Sequence, residues 1–397
     1  MNISEKTKTL LAGSSVIRKL FEEGREMAAV VGEKNVYDFS LGNPFVSPPK
    51  KVKESILRLV DEKEPGYLHG YMKNAGYDEV RSAVAKSLNR RFEMHYQPNN
   101  IIMTVGAAGG LTCIFSSLLN PDDEVVCFAP YFGEYRSYVM NFYGKLVVVP
   151  ADTRDFQPNL EELDSLIHEK TKVLLINNPN NPSGVIYSRE SLIRLQEILE
   201  QAERRIGHAI CVVSDEPYRE LAYDGAEVPY MPKYIKNCIV CYSFSKSLSL
   251  PGERIGYMAI SPDIESCQEI EDALIVSNRA LGYINAPSLF QLVVKDCLEE
   301  KVNVDIYDKN RRLLYESLTA MGFTCVKPQG AFYMLVKSPV ANEQDFVNEG
   351  KKHHIIMVST SSFGCPGYVR LAYCIPYETI ERSLPAFQKL AETYFNE

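Results

Sequence analysis

The chain reads as an α/β protein in two units: a large one with a mostly parallel, seven-stranded sheet covered by helices, and a smaller α+β one built from both chain ends. Three observations predict this. Short, apolar, β-branched runs stand at residues 101–105, 124–128, 145–149, 173–176, 209–213, 238–242 and 255–260. Helix-length amphipathic stretches separate most of them, and strands that are apolar throughout and alternate with helices belong to a parallel sheet covered on both faces. After about residue 300 the pattern changes to a long helical stretch, three short runs and a closing helix.

Along the chain, residues 101–105 lead into Gly106-Ala-Ala-Gly-Gly110, which opens an apolar helix at 111–119. The run at 124–128 leads to Pro130-Tyr-Phe-Gly133, and that at 173–176 enters the segment 177–184, with Asn181-Pro-Ser-Gly184. Residues 188–205 set Leu192, Leu195, Ile198 and Leu199 at helical spacing. The run at 209–213 ends on Ser214-Asp-Glu-Pro-Tyr218, and that at 238–242 on Ser243-Phe-Ser-Lys246. Arg254 follows in Pro251-Gly-Glu-Arg-Ile-Gly256. In open α/β sheets, ligands bind beyond the carboxyl ends of the strands, so one pocket fed by five such loops is expected. The second unit takes a helix at 302–321, runs at 330–336, 354–359 and 368–373, and a helix at 380–395. The segment up to about residue 44 is expected to pack with it. The large domain then spans residues 45–300, and the small domain combines residues 1–44 with 301–397.

At 397 residues the chain exceeds one ordinary core. Apolar residues make up 45% and charged residues 24%, which argues against long disorder. A net charge of −8 argues against nucleic acid or an anionic membrane as the main partner. No apolar run is long enough for a membrane span, and the N-terminus lacks a signal peptide's apolar core. The 10 cysteines lie scattered, mostly in apolar runs, which suits reduced thiols in a cytoplasmic protein. Cys238 and Cys241 form a CxxC without a second such pair or a His cluster. They read as two small residues of one strand, and no metal site is expected. His353-His354, beside Lys351-Lys352, reads as solvated surface.

The polar residues at the strand ends form a chemical set. A lysine attacks a carbonyl as the neutral amine and forms a Schiff base, and burial or nearby cations lower its pKa. Lys246 follows an apolar strand, although Ser-x-Ser-Lys alone also fits a solvated turn. The N–H groups of a Gly/Ala loop at a helix start suit an anion, or merely a tight turn. Ser243, Ser245 and Arg254 could complete a phosphate cup, Arg254 with a bidentate fork. Asp215 at the end of a buried strand needs a partner. A pyridinium N–H is one, and a protonated pyridine ring is an electron sink for a carbanion at a substrate α-carbon. Tyr218 and Asn181 could hydrogen-bond a phenolate oxygen beside the Schiff base. Each residue alone admits a plainer reading; the combination favours the chemistry.

In order and spacing, Asn181-Pro-Ser-Gly184, Asp215-x-x-Tyr218, Ser243-x-Ser-Lys246, Arg254-x-Gly256 and Tyr368-Val-Arg370 resemble the class I/II aminotransferases of fold type I, the aspartate aminotransferase superfamily. Matching pieces run from Ser40-Leu-Gly-Asn-Pro44 to Arg370. The resemblance implies pyridoxal 5′-phosphate on Lys246, which also shuttles the proton, with Asp215 and Tyr218 completing the catalytic set. Asp215 would partner the ring nitrogen, and Asn181 and Tyr218 the ring hydroxyl. Gly106, Ala107, Ala108, Ser243, Ser245 and Arg254 would hold the phosphate. Ala107 and Ala108 depart from the commoner Ser/Thr-bearing loops and offer only N–H groups. Phe132 would stack on the ring, with Tyr131 as the alternative. Tyr71, five residues before Gly76, would reach a partner's phosphate across a homodimer interface. Arg370 would grip the substrate α-carboxylate, with Asn181 beside it and Gly42 and Asn43 on the loop that closes over it.

The implied activity is ping-pong transfer of an amino group between an L-amino acid and a 2-oxo acid. Arg279 lies close to where dicarboxylate-specific relatives carry a second arginine. An aspartate or glutamate donor and a plain surface or interface ion pair both stay open. The alternative on the same residues is a pyridoxal-phosphate C–S β-lyase acting on cystathionine-like substrates. A non-catalytic regulator would carry an added N-terminal DNA-binding domain, whereas about 40 residues precede the matching region.

Overall fold

The computed structural model describes residues 2–12 and 16–395. After β1 (Tyr37–Asp38) come the strands of the main sheet: β2 (Ile101–Thr104), β3 (Glu124–Phe128), β4 (Lys145–Val149), β5 (Thr171–Asn177), β6 (Cys211–Asp215), β7 (Cys238–Ser243) and β8 (Gly256–Ile260). They lie in the order β2-β8-β7-β6-β5-β3-β4. The central and far strands pair in parallel. β8 alone is reversed, antiparallel to both β2 and β7. The seven apolar runs are these seven strands, and the mostly parallel sheet is as expected.

Successive residues of a strand face opposite sides. Leu174 and Ile176 of β5 join Val212, Val240 and the helix residues Leu192, Leu195 and Leu199 in one core. Val173 and Leu175 join Val213, Ile239, and Leu111, Ile114 and Phe115 of helix Gly106–Leu118 in the other. Helix Arg189–Ile206 starts where the Ser188 side chain accepts the Ser191 N–H at 3.0 Å, and stops at left-handed Gly207. Cys238 falls in the first core and Cys241 in the second, because residues three apart in a strand point oppositely. Burial holds both thiols well above their ordinary pKa.

The remaining strands are β9 (Tyr333–Lys337), β10 (Ile355–Ile356), β11 (Val358–Ser359) and β12 (Tyr368–Ala372). β11, β12 and β9 make an antiparallel sheet, and β1 pairs in parallel with β10. The single run expected at 354–359 is thus divided at Met357 between two sheets. Helices Val304–Ala320 and Tyr377–Phe395 pack Leu314, Leu318, Phe387 and Leu390 against Met334, Val336 and Leu371. The Phe39 N–H donates to the Ile356 carbonyl at 2.9 Å, and the Phe39 carbonyl accepts the Ala372 N–H at 2.8 Å. These bonds carry residues 40–42 to Arg370. Among the described residues, no helix is long and apolar enough to cross a membrane.

Candidate active site

A cavity of about 210 Å³ opens at the carboxyl edge of the main sheet. Ala107 and Ala108 reach it from beyond β2, Phe132 from β3, Asn181 from β5, Asp215 and Tyr218 from β6, and Ser243, Ser245 and Lys246 from β7. All five expected loops therefore meet. Arg254 also lines the cavity, although it precedes its strand. The reversal of β8 explains this: Ser243, ending β7, sits opposite Gly256, starting β8.

Lys246 lies in the single helical turn Phe244–Ser247. Ser243 caps that turn, its hydroxyl accepting the Ser245 N–H at 3.2 Å and lying 2.7 Å from the Ser245 hydroxyl. Lys246 Nζ donates to the Gly42 carbonyl at 2.8 Å. Burial, helped by the charges of Arg254 and Arg370, brings its pKa down to about 8. A far larger share of Lys246 is then neutral at pH 7 than of an ordinary lysine.

Asp215 ends β6 and is buried. Its Oδ2 accepts the Tyr135 hydroxyl at 2.5 Å, while Oδ1 is enclosed without a hydrogen-bond partner. Burial raises its pKa to about 7, against the Tyr135 hydrogen bond and with a smaller push from Glu216. Asn177 ties the two strand ends together: Nδ2 donates to the Asp215 carbonyl at 2.9 Å and Oδ1 accepts the Asn181 N–H at 2.6 Å. Sequence reasoning missed Tyr135, whose only signal was its place three residues after Phe132.

At the other wall, Gly106 starts its helix at φ 80°, which favours glycine. A Cβ there would lie 3.0 Å from Arg254 Nη2. Gly256 has no room for a side chain, since its Cβ would fall 2.3 Å from the Tyr242 carbonyl. The helix start and an exposed guanidinium thus share one wall. Phe132 lines the cavity, whereas the Tyr131 hydroxyl is engaged by Arg136 at 2.8 Å.

Arg370, on β12, is only 1% exposed. Its Nη1 donates to Asn181 Oδ1 at 3.1 Å and its Nη2 to the Ser40 carbonyl at 2.5 Å, while Nε has no partner. Its guanidinium lies 4.6 Å from the Tyr333 ring centre. Tyr333, also missed from sequence, sits in an apolar run and carries no pattern of its own. Gly42 borders Tyr333, and Asn43 is exposed beside it. Two expected residues lie elsewhere. Tyr71 is 93% exposed and lines a separate hollow with Tyr67 and Lys73. Arg279 is exposed in the last turn of helix Cys267–Ala280.

A half-buried lysine and a buried acid thus line one cavity beside a helix start. The family model described as aminotransferase class I and II matches residues 34–387. The chain belongs to this family. The aspartate aminotransferase of Pyrococcus abyssi is 30% identical over 397 residues, covering 96% of each chain. That of Bacillus subtilis is 29% identical, covering 91% of this chain and 92% of its own. Among solved structures, an aminotransferase from Eubacterium rectale matches with a TM-score of 0.97 at 43% identity, covering 100% of both chains. The Thermus thermophilus aspartate aminotransferase with maleate matches at 0.86 and 25% identity, over 98% of this chain and 100% of that one. The protein is a fold-type I aminotransferase of a pyridoxal-phosphate enzyme family, and the C–S lyase alternative is not favoured.

Proposed function

We propose that this aminotransferase holds pyridoxal 5′-phosphate in the Lys246 cavity and uses the residues around it to exchange an amino group between an L-amino acid and a 2-oxo acid. The observation that carries the reading is the buried Asp215 Oδ1 without a partner, in the cavity that also holds the depressed-pKa Lys246. The cofactor supplies an aldehyde for the lysine and a ring that draws electrons from the substrate α-carbon. Asp215 Oδ1 takes the ring N–H and keeps it in place. Tyr218 and Asn181, which line the cavity, would hold the ring oxygen, and Phe132 would pack against the ring. The N–H groups of Gly106, Ala107 and Ala108, with Ser243, Ser245 and Arg254, hold the phosphate. Arg370 exchanges the Ser40 carbonyl for the substrate α-carboxylate under the loop of Gly42 and Asn43. Lys246 would move the substrate α-proton as base and then as acid.

Four finer readings accompany this. The aspartate aminotransferases among its relatives support aspartate as a donor, and glutamate is kept as the second dicarboxylate reading. Exposed Tyr71 supports a homodimer in which it reaches the partner's phosphate. The ten free cysteines suit a reducing, cytoplasmic setting. The division into 45–300, carrying the cofactor, and 1–44 with 301–397, closing on the substrate, is supported by the separate cores of the two sheets.

An absorbance scan from about 300 to 500 nm after addition of pyridoxal phosphate tests the assignment of Lys246. The native protein should gain a visible band that a suitable amino acid bleaches. Lys246→Ala should bind without that band and lose turnover by at least about a thousandfold. A native protein with no band, or an active, yellow Lys246→Ala, refutes it.

A further inference from the structure

Tyr333 stands where the two ends of the site meet. It begins β9 and is buried. Its hydroxyl lies 3.1 Å from the Tyr218 hydroxyl, and either oxygen can donate. Its ring carries the Arg370 guanidinium 4.6 Å from its centre. Gly42 passes so close that a Cβ at residue 42 would fall 1.8 Å from the Tyr333 oxygen.

A phenol has one hydrogen to give and can still accept. With the cofactor held as proposed, Tyr218 spends its hydrogen on the ring oxygen. Only Tyr333 can then donate within the tyrosine pair. Linked hydrogen bonds polarise one another, so a phenol that accepts becomes a stronger donor. The ring of the same side chain backs Arg370 more closely than Phe363, whose ring centre lies 5.2 Å from the guanidinium.

We propose that Tyr333 is a positioning residue that joins the substrate-carboxylate arginine to the cofactor-facing tyrosine: its hydroxyl donates to Tyr218, and its ring fixes the plane of Arg370. This rests on the cofactor reading of the Lys246 cavity. The two tasks belong to different atoms and can be separated. Tyr333→Phe removes the hydroxyl and keeps the ring; Tyr333→Ala removes both. The other charged or titratable groups acting on the pair are Arg370, Cys374 and Asp215, and all stay in place in Tyr333→Phe.

The test is a pH titration of the visible band of the cofactor-loaded protein, with KM and kcat measured alongside. A hydrogen bond donated to the ring oxygen lowers the basicity of the neighbouring Lys246 nitrogen. Tyr333→Phe should therefore raise the midpoint of the titration by roughly half a unit. Its KM for the amino donor should stay within about twofold, since the ring remains under Arg370, whereas Tyr333→Ala should raise KM on the order of tenfold. Added to Tyr218→Phe, Tyr333→Phe should shift the midpoint no further, because its effect passes through the Tyr218 hydroxyl. An unmoved midpoint in Tyr333→Phe overturns the proposal, as does a full shift that persists on the Tyr218→Phe background. A native protein that shows no band overturns the cofactor reading instead, so the two failures are distinct.

Discussion

Asp215 ends one strand and Lys246 lies just beyond its neighbour in the same sheet, whereas Arg370 meets Ser40 across 330 residues of chain. The two ends of the cavity also differ in how their polar atoms are satisfied. At the Asp215 end the backbone sets the geometry, and one carboxylate oxygen is left without a partner. At the Arg370 end both Nη atoms are already engaged, and of the guanidinium only Nε lacks a partner. The carbonyls of Ser40, Leu41 and Gly42 accept, in turn, Arg370, the Cys374 thiol and Lys246. A ligand at the first end supplies a missing partner. A ligand at the second end must displace one. The difference suits a cofactor that stays and a substrate that leaves.

The largest test of this contrast is Asp215→Asn. It should lower kcat by about 10²–10³-fold in the loaded enzyme, because the charge facing the ring is lost. Yet it should stabilise the cofactor-free protein at pH 8 more than at pH 5. The sign follows from linkage. The folded pKa of Asp215 is about 7, above the usual carboxylate value. Between those values the folded state holds the proton that the unfolded chain has lost, so stability falls as pH rises through the window. Denaturant melts of the cofactor-free proteins at both pH values check it; equal differences would break the contrast.

At the other end, Arg370→Lys keeps the charge and loses the fork. We expect KM for the amino donor to rise roughly 30- to 100-fold with a smaller change in kcat. An unchanged KM would remove Arg370 from carboxylate binding. Gly42→Ala should cost about tenfold in kcat/KM, because its Cβ meets the Tyr333 hydroxyl and a side chain must shift. Steady-state kinetics on the same donor measure this. The smallest effect belongs to Arg279→Ala, exposed and away from the cavity: less than about twofold for non-acidic donors. A selective loss with aspartate or glutamate would show that the second end takes a cation from a neighbouring subunit.

The same contrast governs what the sequence could reveal. Asp215, Ser243, Lys246 and Asn181 were legible because each follows an apolar run closely, and a strand delivers its last residues to one edge. Tyr135 and Tyr333 were not. A tyrosine on a helix or within an apolar run has the pattern of a core residue, and only packing between distant elements turns its hydroxyl toward Asp215 or Tyr218. Apolar periodicity also carries no direction, so the reversal of β8 was invisible although it sets Arg254 at the cavity. The break at Met357 lacked a Gly or Pro to mark it; pairing alone sends Ile355–Ile356 to β1 and Val358–Ser359 to β12.

The reversed strand β8 has a consequence in time as well as space. Ser243 and Gly256 face each other across a short excursion of chain that holds both Lys246 and Arg254. Closing the loop between Ser40 and Arg370 costs about 3 kcal/mol more conformational entropy than closing that excursion. As the chain leaves the ribosome, the lysine and its neighbouring arginine can come together while the C-terminal segment is still unmade. The substrate grip cannot form until Arg370 has emerged and found a segment synthesised 330 residues earlier.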